Sequence, residues 1–272
     1  MQLSVVVITY NEDANIGRTL ASVAPLVGDG RGEIVVVDSG STDRTVEIAR
    51  QHGAKIFVEE WKGYAAQKNS AIDKASGDWV LLLDADESAD EALVEEVSHL
   101  LLGRVRHSER DGVPVASMAV VSNTIQGFCI RRKNYFLGRW IKYGGFWPDP
   151  KLRLFRRGIG RVEERRVHET VQVQGKTGTL AQGTLVHHSY PTLADYIEHM
   201  NRYSSLGAEI AGRRGFSLTN IVVRPAATFI YNYFFRLGLL DGREGLLLHL
   251  YHAVHVSWKY AKAWERGRPQ PR

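Results

Sequence analysis

Between Trp79 and Ser88 the sequence WVLLLDADES passes from an apolar run into Asp84, Ala85, Asp86 and Glu87. Carboxylates so close together repel one another, so their place at the end of a buried-looking strand calls for a partner of opposite charge. Two other apolar runs also end in polar groups. SVVVIT closes on Thr9 and continues into Tyr10, Asn11 and Glu12, and EIVVVD closes on Asp38 and continues into Ser39-Gly40-Ser41-Thr42-Asp43. Hard oxygen donors of this kind suit Mg²⁺ or Mn²⁺, which commonly joins one or two carboxylates to a diphosphate. Of Asp84 and Asp86, one is expected to face a ribose and the other a metal. No G-x-G-x-x-G follows the first apolar run and no G-x-x-x-x-G-K-[ST] occurs, which disfavours a Rossmann dehydrogenase or a P-loop NTPase.

The elements that must carry these groups are legible. Ser4–Thr9, Glu33–Asp38, Lys55–Glu59 and Asp78–Asp84 read as strands, three of them nearly continuous Val, Ile or Leu, as in strands covered on both faces. Helix-like stretches separate them: Asn15–Val23 before Pro25, Asp43–His52 before Gly53, and Tyr64–Ser76 before Gly77. Ser88-Ala89-Asp90-Glu91 has capping-box spacing and predicts a further helix. The alternation predicts an α/β fold with a parallel sheet, whose ligands bind beyond the C-terminal strand ends. Residues 104–115 read as a loop. Gly127–Arg166 reads as short strands and loops, including Lys151–Arg157. Leu193–Arg213 reads as a helix, and 224–264 as one or two amphipathic helices broken near 238–245.

The chain has 272 residues, 44% hydrophobic and 24% charged, as in an ordinary globular protein. Its net charge of +5 is unevenly spread. Residues 1–103 hold 8 Lys or Arg against 18 Asp or Glu, 131–166 hold 12 against 3, and 224–272 hold 8 against 3. A basic second half invites an anionic partner. The single cysteine, Cys129, forms no intramolecular disulfide, which fits a reducing compartment. Neither a signal-peptide pattern nor an apolar run of bilayer-spanning length is found, so the expected location is cytoplasmic. The C-terminal segment FIYNYFFRLGLLDGREGLLLHLYHAVHVSWKYAKAWERGR mixes large apolar and basic residues, which predicts either a helical pair packed on protein or peripheral contact with an anionic membrane on the inner face of the cytoplasmic membrane.

SVVVITYNE, VVVDSGSTDRT and LLLDADE, in this order and spacing, resemble the family 2 glycosyltransferases, which have the GT-A fold. GFCIRRKNYFLGRWIKYGGFWPDPKLRLFRR, RVHETV, LVHHSYPTLADYIEHMNRY and LGLLDGREGLLL resemble the lipopolysaccharide-core glucosyltransferase subgroup. The resemblance covers nearly the whole chain, least at 104–118. It implies residues 1–222 as a catalytic domain, with a nucleotide-sugar half at 1–103 and an acceptor half at 116–190, followed by a helical extension at 223–272. It implies inverting transfer of a sugar, with UDP-glucose the expected donor, to a glycan or glycolipid acceptor bearing phosphates, aided by a divalent cation, Mn²⁺ or Mg²⁺. On matching positions, Thr9, Asn11, Glu12, Ser39 and Lys68 border the nucleotide, Asp38 meets the uracil, Asp84 approaches the ribose, and Asp86 and His187 meet the metal. Many members take their general base from an E-D pair that this sequence lacks. The landmark here is His168-Glu169, so Glu169 is the expected base and Asp149 the reserve. Arg153 or Arg156 is expected on the diphosphate or acceptor.

Each of these residues also has a reading without a ligand. Asp38 and Ser39 could end a strand and cap a helix. Asp84 and Asp86 could form a solvated turn, Lys68 could be a surface lysine, Glu169 could pair with an arginine, and His168, His187 and His188 could be structural. A sugar-phosphate nucleotidyltransferase is the enzymatic alternative, disfavoured because TYNEDANIG stands where its Gly-rich basic loop belongs. A glycan- or nucleotide-binding protein on an inactive transferase fold is the other. The aromatic, Arg-rich 131–166 block also suits single-stranded nucleic acid, but no RNA-binding signature accompanies it, and no nucleic-acid partner is expected.

Overall fold

The computed structural model describes residues 2–102, 124–163, 170–212 and 216–268. Two compact units share them. The first holds 2–102, 124–132, 150–163 and 170–187, and the second holds 133–149, 188–212 and 216–268.

The first unit begins as the alternation predicts: β1 (Leu3–Thr9), α1 (Ile16–Val27), β2 (Gly32–Asp38), α2 (Thr45–Gln51), β3 (Lys55–Val58), α3 (Tyr64–Asp73) and β4 (Trp79–Asp84). These strands are parallel in the order β3-β2-β1-β4. Because side chains alternate along a strand, β1 feeds two cores. Val5 and Val7 pack with Ile16, Leu20 and Val23 of α1. Val6 and Ile8 pack on the other face, in the core that holds Ala65, Ala71 and Ile72 of α3. Full burial of each such side chain stabilises by about 1.5–3 kcal/mol, which is why all seven β1 residues are buried and why the run reads as continuous apolar sequence. Gly53 follows α2 with φ 71°, the left-handed stop expected of it. Gly77 has a different reason to be glycine: a Cβ there would lie 2.8 Å from the backbone N of Ser4.

Beyond β4 the sheet becomes mixed. A short strand β5 (Glu87–Ala89) precedes α4 (Glu91–Leu101), and β6 (Ile125–Phe136), β7 (Arg139–Trp140), β8 (Lys151–Arg156), β9 (Gly160–Glu163), β10 (Thr170–Val173) and β11 (Lys176–Tyr190) follow. The order continues β4-β8-β6-β11-β5, with β7 beside β6 and β9 paired with β10. Two expectations change here. Ser88 does not open a helix, because it pairs with Val186 in an antiparallel ladder. Asp90 is the cap instead, accepting from the Leu93 N–H at 2.9 Å. Helix α1 also runs past Val23 and takes Pro25 into its last turn.

The second unit contains α5 (Leu193–Ala211), opened by a capping box of Thr192 and Asp195. A helical run follows, in which α6 (Arg224–Ile230) lies between π-helical turns at Thr219–Val223 and Tyr231–Phe235. A 3₁₀ turn (Gly238–Asp241) leads into α7 (Gly242–Arg266). Phe136, Ile141, Tyr196 and Leu248 form the core of this unit. No described helix is long and apolar enough to cross a membrane.

Helix α7 carries His249, His252 and His255 at one-turn spacing. Burial pushes all three imidazoles down, His252 to about 4, where the neighbouring His255 and His249 add repulsion. The unfolded chain therefore binds a proton near the ordinary histidine value that the folded chain refuses, and stability falls as pH drops below about 6.5. Urea unfolding followed by tryptophan fluorescence should show about 2 kcal/mol lost to His252 alone between pH ~7.5 and pH ~5. His252→Leu should flatten that part of the profile; an unchanged slope would mean the ring is accessible to protons in the native state.

Candidate active site at the strand ends

The loops after β1 and β2 are tied to each other, and this positions the site. The Asn11 N–H donates to Ser41 Oγ (2.8 Å), and Asn11 Oδ1 accepts from the Thr42 N–H (2.9 Å). The Glu12 N–H donates to Thr45 Oγ1 (2.7 Å), and the Asp13 N–H to Asp43 Oδ2 (3.1 Å). Asn11 sits at φ 52°, a left-handed conformation that asparagine tolerates. Asp38 is buried and folds its own loop: its Oδ1 accepts from the N–H groups of Gly40 (3.0 Å) and Ser41 (2.9 Å), and its Oδ2 from the Ser41 hydroxyl. Three of an ionised carboxylate's roughly four acceptor sites thus serve the loop, and one at Oδ2 remains. Thr9 Oγ1 and Ser39 Oγ are buried with no hydrogen-bond partner among the described residues, orphans that water or a bound group must satisfy.

The strand does not continue past Asp84. Ala85 and Asp86 form a turn and β5 resumes at Glu87, so the turn separates two acids that an unbroken strand would place on one face. Asp84 meets Lys68 Nζ at 2.7 Å and Arg153 Nη2 at 2.5 Å. Arg153 also meets Glu87 Oε1 at 2.8 Å, and Arg132 Nη1 reaches the same oxygen at 3.0 Å. Glu87 is fully buried and its Oε2 accepts from the Asp84 N–H (3.1 Å). Burial alone would raise the Asp84 pKa, but the Arg153 and Lys68 charges outweigh it and hold the carboxyl well below the usual range. Arg153 is pushed upward: its burial is outweighed by Asp84 and Glu87. Two of the acids that opened the question are therefore neutralised by this protein's own cations.

Asp86 is the acid left over. Its Oδ2 lies 3.1 Å from His187 Nε2, and burial, which would raise its pKa, is outweighed by His187, so the carboxyl titrates low. His187 reaches it because β11 pairs with β5 in the register His187↔Glu87. Glu12 is raised, first by burial and further by Asp86, Asp43 and Asp84, against the hydrogen bond from Asn15. A carboxyl whose proton is held by neighbouring carboxylates is relieved by a cation. Two ligands at ~2.1 Å from an octahedral ion and at right angles lie about 3.0 Å apart. The 3.1 Å Asp86–His187 contact is a hydrogen bond, and an ion binding both groups would have to replace it. Among the described residues no three His, Cys, Asp or Glu side chains gather into a group that could hold a metal, so a cation here would need oxygens from a ligand as well.

Other expected residues fall elsewhere. Arg153 bridges the carboxylates of Asp84 and Glu87. Arg156 stands opposite Trp79 at the start of β4, with its guanidinium 4.9 Å from the indole centroid. That is roughly 16 Å of strand away from Asp84. Asp149 belongs to the second unit, at φ 40°, and accepts from Asn134 Nδ2 at 3.0 Å. His168 and Glu169 lie outside the described residues. His188 stacks on Tyr135 with centroids 5.1 Å apart. Glu87 and Arg132 were not singled out from sequence. Glu87 was visible as the last acid of its run, whereas Arg132 looked like any member of the basic block.

Comparisons with known proteins bear on the family and the fold. The chain is similar to the lipopolysaccharide core biosynthesis glycosyltransferase LpsC of Rhizobium meliloti (strain 1021), 30% identical over 276 residues, 98% of this chain and 93% of that protein. It is similar to a dolichyl-phosphate hexose transferase of Haloferax volcanii, 42% identical over 86 residues, 32% of this chain and 37% of the other. Among solved structures, the mannosyltransferase PcManGT of Pyrobaculum calidifontis, in complex with GDP-Man and Mn²⁺, superposes with a TM-score of 0.54 at 18% identity, covering 97% of this chain and 88% of that one, a likeness of GT-A type fold. Residues 4–158 match the family model for glycosyl transferase family 2, and the chain, a glycosyltransferase, belongs to that family.

Proposed function

We propose that this enzyme is an inverting hexosyltransferase. In this reading it moves glucose from UDP-glucose to a phosphorylated glycan or glycolipid of the bacterial surface, with the lipopolysaccharide core as first candidate and a divalent cation at the donor site. One observation carries the donor side: Asp84 and Glu87 are neutralised from within by Lys68, Arg153 and Arg132, while Asp86 stands outside that network with His187 as its partner. Asp86 and His187 would hold the cation, which supplies Lewis-acid stabilisation of the diphosphate leaving group. Asp84, oriented by Lys68 and Arg153, meets the ribose. Thr9, Asn11, Glu12 and Ser39 border the nucleotide, and Asp38 keeps acceptor capacity for the uracil N–H. The name of the LpsC relative supports the acceptor class. The Mn²⁺ in the mannosyltransferase complex supports the cation, while its GDP-Man makes the base itself a question to test.

Calorimetric titration of UDP, GDP and UDP-glucose, with and without Mn²⁺, tests the donor side. UDP-selective binding that needs Mn²⁺ is the expected result; folded protein that binds none of them would end the reading. GDP selectivity would overturn the uracil assignment alone.

Inversion also needs a base that takes the acceptor hydroxyl proton as the sugar leaves its diphosphate. Glu169 is assigned this role and Asp149 is the reserve. Glu169→Gln should retain donor binding and lose transfer by about 10²–10⁴-fold. Wild-type turnover by that variant would pass the role to Asp149, where Asp149→Asn repeats the test.

A further inference from the structure

We infer that the tip of the helical hairpin in the second unit, built around Phe234, Phe235 and Leu237–Leu240, is a docking surface for an anionic lipid bilayer. This deepens the reading of a lipid-linked acceptor and takes its purpose from it, but its observations come from the second unit alone.

Thirteen of the 21 large hydrophobic side chains exposed among the described residues lie between Phe216 and Leu250. Scattered exposed apolar residues are ordinary on a protein surface, but a concentration of this kind marks an interaction site. Phe235 is 76% exposed and Phe234 52%, and Leu237, Leu239 and Leu240 follow at 48%, 40% and 49%. The backbone presents them together. The Tyr231–Phe235 segment is π-helical, and the Arg236 N–H reaches back five residues to the Tyr231 carbonyl (2.9 Å). Leu237 then adopts φ 59°, which ends the helix and turns the chain. Gly238 makes the turn possible: a Cβ there would lie 2.3 Å from His249 Nε2.

The tip is built to hold its shape. Buried Asp241 accepts from the N–H groups of Lys142 (3.0 Å) and Tyr143 (2.8 Å), and the Gly144 N–H donates to the Arg236 carbonyl (2.8 Å). A rigid turn that leaves its leucines and phenylalanines in water pays a standing cost unless something apolar covers them.

Charge decides the occupant. Arg236 and Arg243 flank the apolar residues of the tip and are both exposed. The acids of the same stretch do not oppose them: Asp241 is buried in its backbone contacts, and Glu244 has Arg139 at 3.7 Å. Exposed phenylalanine and leucine rimmed by arginine is the composition of a segment that rests in a lipid interface, with its apolar side chains at the acyl boundary and its cations among anionic headgroups. With no described helix able to span a membrane, the contact is peripheral.

Co-sedimentation with vesicles tests this, comparing phosphatidylcholine alone with equal parts phosphatidylcholine and phosphatidylglycerol, on the full chain. The wild type should sediment with the anionic vesicles and much less with the neutral ones. The double substitution Phe234→Ser with Phe235→Ser should weaken that binding at least tenfold, and Arg243→Glu should weaken it while lowering its sensitivity to salt. Both variants alter exposed side chains, and calorimetric UDP binding serves as the control that the fold and donor site are intact. Wild type that stays in the supernatant with both vesicle types, or a double variant that binds as wild type does, would overturn the inference. A lipid-free dimer that the phenylalanine substitutions dissociate, with no vesicle binding, would give the surface to a second copy instead. Nucleotide binding without vesicle binding defeats this inference alone, whereas vesicle binding without nucleotide binding defeats the donor reading.

Discussion

An Arg153→Ala enzyme is expected to lose about 3 kcal/mol of folding stability. Arg153 is 6% exposed and bridges Asp84 and Glu87, so its removal leaves two carboxylates sharing less positive charge in a place where water screens poorly. Breaking a buried pair by removing one partner costs about 3–5 kcal/mol, and the lower figure applies because Lys68 and Arg132 stay in place. Against a typical total of about 5–15 kcal/mol, that shifts a urea midpoint far enough to measure easily. Arg153→Lys should lose less, since an ammonium can hold one carboxylate but cannot fork between two. A wild-type midpoint for Arg153→Ala would show that the network is not closed in solution. The ribose role proposed for Asp84 would then lack the partners that orient it.

The larger effect on activity belongs to Asp86. The carboxylate bonds to His187 and stands outside the Asp84–Arg153–Glu87 network, so Asp86→Ala should leave that network intact and the fold close to wild type. Its loss should fall on the cation. Lewis-acid stabilisation of a leaving diphosphate is worth several kcal/mol, so transfer should drop by roughly 10³-fold. UDP binding by the variant should no longer respond to Mn²⁺, and a chelator should bring wild type down to the variant's level while leaving the variant unchanged. Asp86→Asn adds discrimination, because an amide can still hydrogen-bond His187 but carries no charge to hold a cation. If Asp86→Asn binds UDP with undiminished Mn²⁺ dependence, the cation is held elsewhere and the Asp86–His187 pair is structural.

The first half of the fold was readable because its signals are local. Continuous Val, Ile and Leu in β1, β2 and β4 reflect burial on both faces, and the polar residues that follow each strand mark the edge where a ligand site belongs. The Asp84-Ala85-Asp86-Glu87 run stated the electrostatic problem, and resemblance on three short motifs placed the chain in its family. What the acids do was not readable. Periodicity alone extends the strand through Asp86, and only the turn at Ala85-Asp86 sends Asp84 toward Lys68 and Arg153 while Asp86 meets His187. Apart from Lys68 on α3, their partners come from strands β6, β8 and β11, 45 to 101 positions away in sequence. No local pattern separates Arg132 and Arg153, which enter the network, from Arg156, which packs on Trp79, because β-strand alternation and register decide which arginine of a basic run faces the acids. The same holds at the hairpin tip: the sequence showed aromatic and basic residues together, while the π-helical turn, the left-handed Leu237 and the anchored Asp241 determined that the apolar ones face outward. Sequence determined which chemical groups are available and which elements carry them. Tertiary structure decided which charges cancel and which apolar groups stay exposed, because both depend on partners that come into range only when distant strands and helices pack.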